Sequence, residues 1–88
     1  LGKQEIIYHN AAGELLETSI GNLVLKIAGK LYTPPTSLGV LSGIYRQHLL
    51  ETGQVEEKVL TLKDLAQAED IYGCNAVRGM YELLLKEK

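Results

Sequence analysis

Short strand-forming runs interrupted by two brief helical stretches predict an α/β fold, bordering on α+β, with a mixed β-sheet and two short helices. Three observations lead there. Leu23, Leu25 and Ile27 alternate with Val24, Lys26 and Ala28, the period of a strand with one clearly apolar face and one mixed face. Turn residues punctuate the flanking runs at Asn10-Ala11-Ala12-Gly13 and at Ala28-Gly29-Lys30. Helix-boundary residues stand at Ser42-Gly43, Gly53 and Thr61–Asp64. No run is long enough to stand alone, so the 88 residues read as a single unit spanning 1–88.

Taken in order, Glu5-Ile6-Ile7-Tyr8-His9 is rich in strand formers, and the Asn10–Gly13 turn leads into Glu14-Leu15-Leu16 as a hairpin. The Leu23–Ile27 strand turns at Ala28-Gly29-Lys30 into Leu31-Tyr32-Thr33, a second hairpin. Pro34-Pro35 ends it, because neither residue can donate to a ladder. A loop from Thr36 to Gly43 opens a helix over about Ile44–Thr52, with Ser42 as the expected N-cap and Gly53 as the C-cap. Glu56–Leu60 reads as a short strand, and Thr61-Leu62-Lys63-Asp64 as a variant capping box starting a helix through about Ala68. Ile71-Tyr72-Gly73-Cys74 is β-compatible, and Asn75–Gly79 forms a turn. The tail from Met80 to Lys88 fits either period and is assigned as strand.

Composition removes several classes of function. The net charge is −2 and no Lys/Arg cluster occurs, so there is no footprint for nucleic acid or an anionic membrane surface. No apolar run approaches the length of a membrane span. The single cysteine, Cys74, can form neither an internal disulfide nor a cysteine metal site, which fits a reducing compartment, by default the cytoplasm. His9 and His48 have no spaced partner and read as ordinary histidines, so no metal is expected. Cys74 has no local base and reads as a small buried residue. Arg46 and Arg78 could each grip a carboxylate or phosphate. Glu17, between two strand-like runs and followed by Thr18-Ser19-Ile20-Gly21-Asn22, is a candidate functional carboxylate. A glycine and a hydroxyl at the start of the first helix leave outward-pointing amides of the kind that bind phosphate.

These features occur in a telling order. After Glu17 come Leu31-Tyr32-Thr33-Pro34-Pro35, then Gly39-Val40-Leu41-Ser42-Gly43-Ile44, then Glu56–Leu65, then Asn75-Ala76-Val77-Arg78-Gly79. The combination, covering nearly all of the chain, resembles the class IV (fold-type IV) pyridoxal-phosphate enzymes: branched-chain and D-amino-acid aminotransferases and aminodeoxychorismate lyase. Within that group it is most similar to the lyase-like C-terminal part of para-aminobenzoate synthase component I. The resemblance implies a C-terminal segment of the D-amino-acid aminotransferase-like large domain, with pyridoxal 5'-phosphate as cofactor and a small-molecule amino substrate. It implies that Glu17 pairs with the cofactor's pyridine nitrogen. The amides of Ile44 and Tyr45 would form one side of a phosphate cup. The turn at Asn75 and Ala76 would form the other, with Ala76 offering only its N–H because it lacks the hydroxyl found at that place in many members. Asn22 would support the backbone, and Arg78 would contact the substrate carboxylate.

Thr18 and Gly21 stand where the family usually has Gly and a small polar residue, which alters the turn while keeping its key groups. The Schiff-base lysine of the family lies further upstream of the glutamate than this chain reaches, and Lys3 is too close to Glu17 to be that residue. The implied whole protein is a lyase that releases pyruvate to give 4-aminobenzoate for folate synthesis, or an aminotransferase of the same family. This chain alone is expected to be inactive, a structural or interaction fragment. Its uncovered apolar sheet surface would favour a homodimer or other self-association.

Overall fold

The structure is a computed structural model and describes residues 6–83. Its framework is β3 (Asn22–Ile27), whose Leu23, Val24 and Leu25 are completely buried. Along one edge β3 pairs antiparallel with β6 (Asp70–Asn75), from Asn22↔Cys74 to Lys26↔Asp70. Its other edge is shared. The first residue meets β2 (Leu15–Thr18) through Glu17↔Asn22, and the last three meet β4 (Lys30–Thr33). β1 (Ile7–His9) extends the sheet beyond β2, and β7 (Gly79–Glu82) extends it beyond β6. β4 continues to β5 (Glu56–Glu57), and that pair is parallel, so the sheet is mixed, as its sequence predicts. The predicted β1–β2 and β3–β4 hairpins and the two helices α1 (Ile44–Glu51) and α2 (Leu62–Gln67) are all present.

Each helix closes one face of the sheet. Leu15, Leu23, Leu25 and Leu60 form one buried cluster, with Leu65 and Ala68 packed on it from α2 and its C-terminal end. Val24, Leu49, Val55 and Cys74 form the other, joined by Tyr45 and Leu50 of α1. The face of β3 expected to be mixed is therefore as dry as its neighbour at Val24. Alternation cannot show that a helix twenty residues downstream will cover a second face.

Three boundaries also differ from expectation. Ser42 is not the N-cap of α1: Gly43 holds that place in extended backbone and no side chain caps the helix. The Ser42 hydroxyl is drawn instead toward Gln47 and Arg46 of the same helix. The helix stops at Thr52, whose N–H and hydroxyl both bond the His48 carbonyl, so Gly53 follows the cap instead of forming it. The strand expected over Glu56–Leu60 is only two residues long, because Leu60 leaves the β4 edge and accepts a hydrogen bond from Leu15 N–H on β2. The capping box at Thr61 and Asp64 is reciprocal, as expected, with Thr61 N–H donating to Asp64 Oδ2 and Asp64 N–H to Thr61 Oγ1. The assigned C-terminal strand runs through Glu82, and residues 84–88 lie outside the described residues.

The β3–β4 turn carries a local cost. Its two residues, Ala28 (φ 53°) and Gly29 (φ 80°), both adopt left-handed backbone, as a two-residue hairpin loop requires. Glycine does so freely, whereas alanine pays in Cβ contacts. Ala28→Asn or Ala28→Gly is expected to stabilise the protein by about 0.5–1 kcal/mol. Thermal unfolding checks this, and an unchanged or lower midpoint in both variants would contradict it.

Candidate functional site

A cleft of about 440 Å³ opens where the β2–β3 turn, the loop entering α1 and the β6–β7 turn converge. Its lining includes Glu17, Ile20 and Asn22 from the first, Leu41, Gly43 and Ile44 from the second, and Cys74, Asn75 and Ala76 from the third. Of the sequence-nominated site residues, Glu17, Ile44, Asn75 and Ala76 thus share one cavity. Its volume falls within the range of cofactor pockets.

The β2–β3 turn is tight, with both the N–H and the hydroxyl of Thr18 donating to the Gly21 carbonyl. Gly21 is forced here by close approach: a Cβ would lie 2.5 Å from the Cys74 carbonyl oxygen of the facing strand. This passage places Glu17 beside the α1 entry loop, and the backbone of one residue there is held at both its N–H and its carbonyl. Leu41 N–H donates to Glu17 Oε1 at 3.1 Å, and Asn22 Nδ2 donates to the Leu41 carbonyl at 2.7 Å. Asn22 is buried, and a Cβ on Gly43 would sit 2.7 Å from its Oδ1. The entry to α1 can therefore lie this close only because residue 43 has no side chain.

The donors and acceptors left over define what the cleft can hold. Among the described residues, Glu17 Oε2 accepts no hydrogen bond, which leaves one carboxylate oxygen free for a cationic N–H. α1 has no side-chain cap and its first backbone bond is Gln47 N–H to Gly43 C=O, so the amides of Ile44 and Tyr45 have no partner within the helix. Across the cleft, Asn75 Nδ2 donates to the Ile20 carbonyl and its Oδ1 accepts from the amides of Val77 and Arg78. That leaves Ala76 as the turn amide not engaged by Asn75. A free carboxylate oxygen at one wall and unengaged N–H groups at two turns suit a ligand with a protonated ring nitrogen and a phosphate.

Two nominated residues stand apart. The Tyr45 ring packs in the core cluster under α1, 5.9 Å from the His48 ring, so only its backbone belongs to the helix start. Arg78 is exposed, does not line the cleft, and lies over the Tyr81 ring at 4.5 Å. Leu41 is not among the nominated residues, since a residue acting through its backbone leaves no side-chain signature; Gly43 is marked by the sequence as the glycine at the helix start, but its close approach to Asn22 is not. Lys3 lies outside the described residues. No helix among the described residues is long and apolar enough to cross a membrane.

The mixed sheet with one helix on each face, and a cleft of this make-up at its turns, define a class. Residues 1–84 match the family described as amino-transferase class IV, and the chain belongs to that family. Its enzymes depend on pyridoxal phosphate. The chain is 30% identical over 89 residues to the aminodeoxychorismate lyase of Saccharomyces cerevisiae, covering 96% of this chain and 24% of that protein. The backbone is similar to a crystal structure from Mesorhizobium loti, with TM-score 0.86 and 32% identity over 93% of this chain and 40% of that one. It is also similar to an aminotransferase from Brucella abortus bound to the cofactor, with TM-score 0.78 and 25% identity over 90% of this chain and 30% of that one. The chain spans about a third of the length of the curated relatives it matches.

Gly21→Ala is expected to destabilise the fold by about 2 kcal/mol or more, since the clash is with backbone and the strand pair must part. A denaturant midpoint equal to that of the parent chain would show that the turn relaxes freely. The Cys74 thiol gives a pH signature. Burial pushes its pKa up from 9.0, against a smaller pull downward from the Arg46 charge. The folded state then holds the thiol proton more tightly than the unfolded state. The associated stability is complete below pH 9.0 and is lost as pH rises through the folded value. The stability difference between the parent and Cys74→Ala should therefore narrow above that pH, and a constant gap in unfolding free energy would contradict the assignment.

Proposed function

We propose that this chain is the C-terminal segment of the large domain of a fold-type IV enzyme, most similar to a 4-amino-4-deoxychorismate lyase acting in folate synthesis in the cytoplasm. The observation that carries the reading is the cleft itself, with a free carboxylate oxygen on one wall and unengaged amides at two separate turns. The similarity to the yeast lyase supports the choice within the family.

In this reading Glu17 holds the proton on the cofactor's ring nitrogen, using the oxygen not engaged by Leu41. Pyridoxal phosphate, when bound, supplies an electron sink for charge developing at the substrate α-carbon. The amides of Ile44 and Tyr45, at the positive end of α1, bind the phosphate from one side and the Ala76 N–H from the other. Asn22 holds the Leu41 carbonyl while Glu17 accepts from the Leu41 N–H, so the loop entering α1 stays at a fixed distance from the sheet. Ile20, Leu41 and Ile44, all exposed at the rim, give the cleft an apolar border that lowers the local polarity. Arg78 is retained as a substrate-carboxylate contact on its position in the family pattern alone. The Schiff-base lysine comes from upstream of Leu1. Self-association follows from the apolar surface that the rest of the domain would cover.

An aminotransferase is the second reading, favoured by the likeness to the Brucella enzyme. The full-length protein given 4-amino-4-deoxychorismate should release pyruvate; transfer of the amino group to a keto acid with no pyruvate formed would select the aminotransferase. Glu17→Gln should lower kcat/KM at least about a hundredfold in either case, because the interaction develops with the transition-state charge. Near-parental turnover would remove Glu17 from the site. The 88-residue chain alone, as a non-catalytic fragment, should give no visible Schiff-base absorbance with pyridoxal phosphate. A band abolished by Lys3→Ala would reverse the exclusion of that lysine.

A further inference from the structure

Arg46, in the first turn of α1, is only 2% exposed, and its sole ion-pair partner among the described residues is Glu57. A buried guanidinium is costly unless its donors are used. Here Nη2 donates to the Pro34 carbonyl at 3.0 Å and to Glu57 Oε2, Nη1 reaches Ser42 Oγ at 3.5 Å, and Nε is buried with no partner. Those acceptors lie on three different segments: the corner after β4, strand β5 and the loop entering α1. Ser42 lies between Leu41 and Gly43, both in the cleft lining. The guanidinium thus ties the helix start to the corner after β4 and to β5, through partners other than those that hold Leu41. Its charge also acts on Cys74, another lining residue.

We propose that Arg46 is a positioning residue for the anion subsite, fixing the α1 amides in place, and that it sets the cleft's affinity for a phosphate group without touching it. The inference rests on the reading of the cleft given under Proposed function. Lysine keeps the charge but cannot span the three acceptors with a planar fork.

The test is binding of pyridoxal phosphate, and of pyridoxal lacking the phosphate, to the full-length protein and to Arg46→Lys and Arg46→Met, with circular dichroism to verify folding. Both folded variants should lose about tenfold in affinity for pyridoxal phosphate, the size of one charged hydrogen bond, while affinity for pyridoxal stays within about twofold. Equal losses for the two ligands, or pyridoxal phosphate affinity within about twofold of the parent in the Arg46→Lys protein, would overturn the proposal. If neither variant folds, Arg46 is a core-stability residue and the proposal is wrong. A parent protein that binds neither ligand would instead sink the cofactor reading itself.

Discussion

The backbone of Leu41 is the joint on which the cleft depends. Its N–H, in the peptide shared with Val40, donates to Glu17, and its carbonyl, in the peptide shared with Ser42, accepts from Asn22, so the sheet holds two successive peptide groups of the loop entering α1. Each of these planes resists bending, so only φ and ψ of Leu41 lie between the two anchors, and holding both peptides limits how far the two walls can move apart. The linkage also explains the missing cap. A side-chain cap on α1 would consume one of the amides left without a partner at the helix start, and Gly43 provides none.

That joint could not form without the burial of β3. Leu23, Val24 and Leu25 are fully enclosed because α1 covers one face and α2 the other, and their burial holds Asn22 at the sheet's end. Burial of three such side chains is worth several kcal/mol in apolar area alone, on the order of 2 kcal/mol each. The polar groups at the end of β3 are then satisfied by the surrounding loops: Asn22 by Leu41, and the Leu23 carbonyl by Thr33 Oγ1 at 2.6 Å. Packing supplies the energy, and these bonds supply the geometry of the site.

Much of this was legible beforehand. Alternation located β3, the turn residues located both hairpins, and the Thr61–Asp64 capping box located α2, because each is a local preference of a few consecutive residues. The family resemblance nominates Glu17, Ile44, Tyr45, Asn75, Ala76 and Arg78, and the fold brings all but Tyr45 and Arg78 to the lining of one cleft. Ser42 misled because a hydroxyl before a helix favours capping only when nothing else attracts it, and Arg46 and Gln47 both do.

The sequence by itself determined the order and kind of the elements, and the residue types that the cleft would contain, since these follow from periodicity, turn chemistry and short motifs. Only the tertiary structure decided that both faces of β3 are dry, that Arg46 is a buried strut and not a surface cation, and that Glu17 and Asn22 meet at Leu41. The last two depend on hydrogen bonds between residues 11 to 24 positions apart, and the first on packing between residues further apart still, where the chain's local preferences exert no control.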